Sequence, residues 1–115
     1  MADQVEIQLP RTRVRESAAF PLTAYFRTRA TSAASIPTTV DYKVSCLNTG
    51  NTLTDWTTLT PAANVSITIT AVDNAIQSAS NTHETRQIIV RADKGLASQA
   101  IGSASWKVEN LLGIG

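Results

Sequence analysis

The chain has 115 residues, a formal net charge of +1 and 43% hydrophobic residues. That length suits one domain with a single core and leaves no room for a second, and the near balance of charge excludes a general attraction to nucleic acid or an anionic membrane. Aromatic residues make up only 5% while Thr, Ser and Ala are abundant, a profile that favours short strands with hydroxyl-bearing outer faces over long helices.

Met1 to Gln4 lacks the basic and apolar regions of a signal peptide, and no window approaches the ~18 apolar residues of a membrane span, so synthesis in a reducing cytoplasm is expected. Val5, Ile7 and Leu9 then alternate with Glu6 and Gln8, which predicts a strand, and Pro10 ends its ladder because it has no amide donor. An edge position follows for this strand. Arg11, Arg13 and Arg15 alternate with Thr12 and Val14, so residues 1–16 form either an edge strand or an extended arm. Three arginines in this spacing serve as a solvated guard against unwanted pairing or as a binding patch.

The run from Phe20 to Arg29 places Phe20, Leu22, Ala24 and Phe26 on one face, with Pro21 at its start. Residues 30–37 are small and polar and close on Pro37, which makes them a loop. From Thr39 to Leu47 the alternation puts Val40, Tyr42, Val44 and Cys46 inward. Cys46 is the only cysteine, cannot form an internal disulfide, and is read as a buried core thiol among apolar neighbours. Asn48 to Asn51 is a turn by composition, and Thr52 to Leu59 a short strand in which Trp56 is expected to lie over the core or close one end of it.

Val65, Ile67 and Ile69 alternate with Ser66, Thr68 and Thr70, the clearest period of two in the chain. The polar stretch from Asp73 to Thr82 is too long for a tight hairpin, so the strands on either side of it are expected in different sheets. Asp73 to Gln77 could form one turn of helix carrying Ile76 under the end of the sandwich; Asp73, Asn74, Asn81 and Glu84 lack the spacing of a calcium loop and read as turn formers. Thr85 to Ala92 is a strand with apolar Ile88 and Ile89 in succession, hence a central one. After the turn at Asp93-Lys94-Gly95, a loose segment runs to Gly102 and a final strand spans 103–109. The apolar tail at 110–115, with Leu111, Leu112 and Ile114, should be tucked into the core or a neighbour.

About seven strands without a helix longer than a turn predict an all-β chain, a single antiparallel β-sandwich of the immunoglobulin or fibronectin type III class. One His, one Cys, no Cys/His metal spacing and no phosphate-cradling glycine loop offer no positioned base, nucleophile or metal, so a non-enzymatic protein without cofactors is expected. The runs Asp41-Tyr42-Lys43-Val44, Thr49-Gly50 through Asp55-Trp56-Thr57 to Val65-Ser66-Ile67-Thr68-Ile69, Glu84-Thr85-Arg86 and Asn110-Leu111 resemble small virion proteins of tailed bacteriophages, in which an immunoglobulin-like or fibronectin-III-like domain stands alone. The resemblance covers the chain from about Phe20 onward. It implies a structural role, most simply a capsid decoration or cement protein or a head accessory subunit.

The partners it implies are the major capsid or other virion proteins, with self-association or multiple copies per particle; no membrane or nucleic-acid partner is expected. It implies localisation in the virion after synthesis in the host cytoplasm. A tail or head-tail accessory subunit, or a module that recognises a host surface or carbohydrate through its loops, is the alternative. The candidate assembly contacts are Arg11, Arg13, Arg15, Leu111, Leu112 and Ile114.

Overall fold

A computed structural model describes residues 4–10, 12–16, 18–28, 31, 33–76, 82–93 and 99–109. Among them are eight strands: β1 (Gln4–Gln8), β2 (Arg13–Arg15), β3 (Phe20–Arg27), β4 (Val40–Cys46), β5 (Thr52–Leu59), β6 (Asn64–Ile69), β7 (His83–Ala92) and β8 (Ala100–Glu109). They form a three-stranded sheet of order β1-β3-β6 and a five-stranded sheet of order β2-β8-β7-β4-β5. The apolar side chains of one sheet face those of the other, as the alternation of buried with more exposed positions along β3 and β7 shows. As the polar stretch between them predicts, β6 and β7 lie in different sheets.

Residues 4–8 and 13–15, within the stretch read as edge strand or arm, are edge strands, one in each sheet. β1 pairs along its length with β3, from Gln4 opposite Arg27 to Gln8 opposite Thr23, and Val5, Ile7 and Leu9 pack against the core. The proline step at Leu9-Pro10 then carries the chain to the other sheet, where β2 pairs with the last strand, Val14 opposite Val108. That pairing is parallel, so the expectation of an antiparallel fold is corrected at this edge. Val14 is the reason the short strand forms at all: it is 5% exposed and belongs to the core, while the arginines on either side of it point outward. Removing residues 1–16 would therefore strip apolar cover from both sheets.

Val44, Ile67, Ile69, Ile88, Val90 and Trp106 are buried in one cluster, with Tyr42 half-buried at its margin. Phe20 meets Trp106 edge to face, with ring centroids 5.3 Å apart and an interplanar angle of 88°, the arrangement the ring quadrupoles favour. The last strand starts at Ala100, earlier than expected, and pairs with β7 as far as Ala92 opposite Ala100. Gly102 in that extension lies tightly against β1: a Cβ there would lie 2.8 Å from Val5 Cγ1 and 3.0 Å from the Val5 carbonyl oxygen. Only a residue without a side chain lets β1 and β8 approach this far.

Candidate interaction surface

The five-stranded sheet turns Arg13, Arg15, Lys107, Lys43 and Arg91 to its outer side, together with Asp41 and Glu109. Parity decides this. In β4 the buried Val40, Val44 and Cys46 leave Asp41, Lys43 and Ser45 on the other face, and in β7 the buried Ile88, Val90 and Ala92 leave Gln87, Ile89 and Arg91 there. Arg13 and Arg15 stand opposite Lys107 and Glu109 across the parallel pair, and Arg13 Nε lies 3.3 Å from Glu109 Oε1 in an exposed ion pair. A hollow of about 360 Å³ opens here, lined by Thr12, Arg13, Thr85, Ser105, Trp106 and Lys107. Two cations and three hydroxyl groups make it receptive to an anionic group. Of the other candidate contacts, Arg11, Leu111, Leu112 and Ile114 lie outside the described residues.

At the opposite end of the same face stands Trp56. It does not lie over the core, as its size suggests; it is 38% exposed on the outer side of the edge strand β5. Its ring carries the Arg91 guanidinium 3.8 Å from its centroid, with the Lys43 ammonium 5.7 Å away. Arg91 is held in turn by Asp41 directly across the β4–β7 pair, through bonds of 3.0 Å from Nε and 2.6 Å from Nη2 to the two carboxylate oxygens. This two-point grip raises the Arg91 pKa above its ordinary value, chiefly by the hydrogen bond to Asp41, against the opposing effect of burial. Trp56 is outward because it alternates with Thr57, which stands opposite the inward Tyr42, and one extra β5 residue between Tyr42 and Val44 then turns Thr54 back inward opposite Val44.

The inside of the same sheet holds a set of polar residues at one end of the core. Arg86 and Glu84 are fully buried. Arg86 donates from Nη1 to Glu84 Oε1 at 3.1 Å and to Cys46 Sγ at 3.3 Å, from Nε to the Asp73 carbonyl at 2.7 Å, and from Nη2 to the Ala75 carbonyl. Trp106 Nε1 donates to Asn74 Oδ1 at 2.8 Å, the Asn74 amide donates to the Ala18 carbonyl, and Thr54 Oγ1 donates to Asp73 Oδ1 at 2.6 Å. These bonds seal the turn at 71–74 over the end of the core; it replaces the turn of helix expected from Asp73 onward, while Ile76, just after it, packs against the core.

Cys46 is as buried as expected, but its neighbours include an ion pair, which corrects the expectation of apolar surroundings. Sequence reasoning missed Arg86, although the signal was there: Glu84 and Arg86 share the parity of Ile88 and Val90. The recognition alternative would use the loops at Asn48 to Asn51 and Asp93 to Gly95, of which Lys94 and Gly95 lie outside the described residues. In the first, Asn48 Oδ1 accepts from the Thr85 amide at 2.6 Å and Gly50 adopts a φ of +76°; in the second, Asp93 has a φ of +56° and accepts from the Thr38 amide. Both Asn48 and Asp93 therefore spend a side-chain oxygen on holding the backbone. No group of three or more His, Cys, Asp or Glu side chains that could hold a metal occurs among the described residues.

No protein-family model matches the chain, and no curated protein matches it. Among solved structures it is similar to a conjugative transposon lipoprotein from Bacteroides eggerthii, at 11% identity and a TM-score of 0.49, over 90% of this chain and 94% of that one.

Proposed function

We propose that this chain is a non-enzymatic structural protein of a tailed-bacteriophage virion, a capsid decoration or cement protein or a head accessory subunit, built on an immunoglobulin-like sandwich. The strand order supports that finer fold reading: β1-β3-β6 faces β2-β8-β7-β4-β5, and the first stretch of chain changes sheets to pair in parallel with the last strand. The resemblance of the strand runs to small virion proteins supports the particle role.

The observation that carries the attachment reading is the geometry of β2, where Val14 in the core displays Arg13 and Arg15 side by side on the outer edge beside Lys107. Arginines placed this way can pair with carboxylates of a shell protein while the edge itself stays closed to aggregation. Because β1 and β2 carry core residues, the test is a charge reversal and not a truncation. The double variant Arg13→Glu/Arg15→Glu should keep the thermal midpoint and β-rich circular dichroism of the parent. It should lose co-sedimentation with purified phage particles lacking this subunit, and the parent's binding should weaken with salt. A parent that does not sediment with particles, or a double variant that binds as well as the parent, overturns the reading.

A further inference from the structure

We propose that the whole outer face of the five-stranded sheet, from the hollow beside Arg13 and Lys107 to the ring of Trp56, docks onto an acidic protein surface. This deepens the assembly reading, on which it rests for the setting of the partner, and extends the contact from the β2 edge to the face. Charge is the first argument. Asp41 and Glu109 are each engaged by an arginine of the same face, so the cations Arg15, Lys107 and Lys43 remain in excess and make the face complementary to carboxylates.

The distribution of apolar surface is the second argument. Trp56 and Ile101 are exposed large hydrophobic residues on this side, and an aromatic ring fixed beside arginine is the kind of group that anchors interfaces. Five strands at their usual spacing span about 20 Å, and with strands of this length the face offers on the order of 500–600 Å², at the low end for one side of a specific interface, as suits a subunit that attaches in many copies.

The β5 edge, in contrast, is poorly suited to pairing with another chain. Its register is shifted beside Tyr42, the Trp56 amide donates to Asp55 Oδ1 at 2.8 Å, and Thr57 Oγ1 donates to the Asp55 carbonyl at 2.9 Å. Backbone groups closed by local side chains do not template a new strand. A second copy of the chain presenting the same cation-rich face would meet like charge, which leaves an acidic partner as the complementary occupant.

The test uses the full chain, labelled with nitrogen-15, and a peptide of about twenty residues that is glutamate throughout except for two central leucines, at low salt. Amide shifts should gather at Arg13, Lys43, Arg91 and Lys107 and include the Trp56 indole. Lys107→Glu and Trp56→Ser, each first shown to keep the parent spectrum elsewhere, should each weaken binding about fivefold or more, while Arg27→Glu on the opposite sheet should change it less than about twofold. Equal loss from Arg27→Glu, shifts centred on β1, β3 and β6, or no binding at low salt overturns the proposal. So does sedimentation showing that the chain pairs with itself through this face. The peptide result is independent of particles: failure here with intact particle binding removes the face and spares the virion reading, and the reverse removes the virion reading and spares the face.

Discussion

Each outer face of the molecule carries an arginine beside an aromatic ring and a carboxylate, and the two sets differ in how firmly they are held. On the three-stranded sheet Arg27 lies 5.7 Å from the Tyr25 centroid and 3.6 Å from Glu6, with side chains 37% and 50% exposed; its Nε is shielded yet has no hydrogen-bond partner among the described residues. On the five-stranded sheet Arg91 lies 3.8 Å from the Trp56 centroid and makes two hydrogen bonds to Asp41, with side chains 17% and 11% exposed. Composition alone makes the two triads look alike. What separates them is position: Arg91 and Asp41 face each other across a central pair of strands, while Glu6 sits on the edge strand β1, where water competes for both charges.

The same contrast has an extreme inside the core, and it gives the largest expected effect. Arg86→Met removes the guanidinium that serves Glu84, Cys46 and two carbonyls, leaving Glu84 buried without its cation. A loss of about 3–5 kcal/mol is expected, read as a fall in the urea midpoint; a change under about 1 kcal/mol would show that water or a shifted side chain replaces Arg86. Asp41→Asn should come next, lowering Tm by a few degrees, because Arg91 loses its anionic partner and its fixed stack on Trp56. If Tm does not move, the two faces are equivalent and the comparison fails.

A pH series sharpens that measurement. The raised Arg91 pKa contributes stability that is complete below its ordinary value and lost only as pH rises through the higher folded value. Both lie far into the alkaline range, so deprotonation of Arg91 should change nothing between pH 6 and 9. A loss of stability with rising pH in that window that Asp41→Asn abolishes would contradict the assignment. Trp56→Ala should lower Tm less than Asp41→Asn, since only part of the ring is covered, but should release Arg91 to motion visible in the relaxation of its Nε–H signal. The smallest effect belongs to Glu6→Gln, which should leave Tm within about one degree of the parent, as an exposed pair does. A larger fall would mean that Arg27 is held as tightly as Arg91.

By itself the sequence determined the strands and the direction of most of their side chains. Val65, Ile67 and Ile69, and likewise Phe20, Leu22, Ala24 and Phe26, face the core because a period of two leaves an apolar strand no other stable register. The same arithmetic, carried two and four residues back from Ile88, puts Arg86 and Glu84 inside, and charge alone hid them. The candidate surface was only partly legible: the outward arginines of β2 could be read from their alternation with Val14, but the partners of Arg91 and Trp56 could not. Those partners come from strands far apart in the chain, and the pairing of Thr57 with Tyr42 sets which way Trp56 turns. The step at Pro10, the parallel pairing of β2 with β8 and the close approach at Gly102 were likewise decided by tertiary structure. Alternation records which face a residue occupies within its own strand; which strand lies beside it depends on how the two sheets bury their apolar sides together.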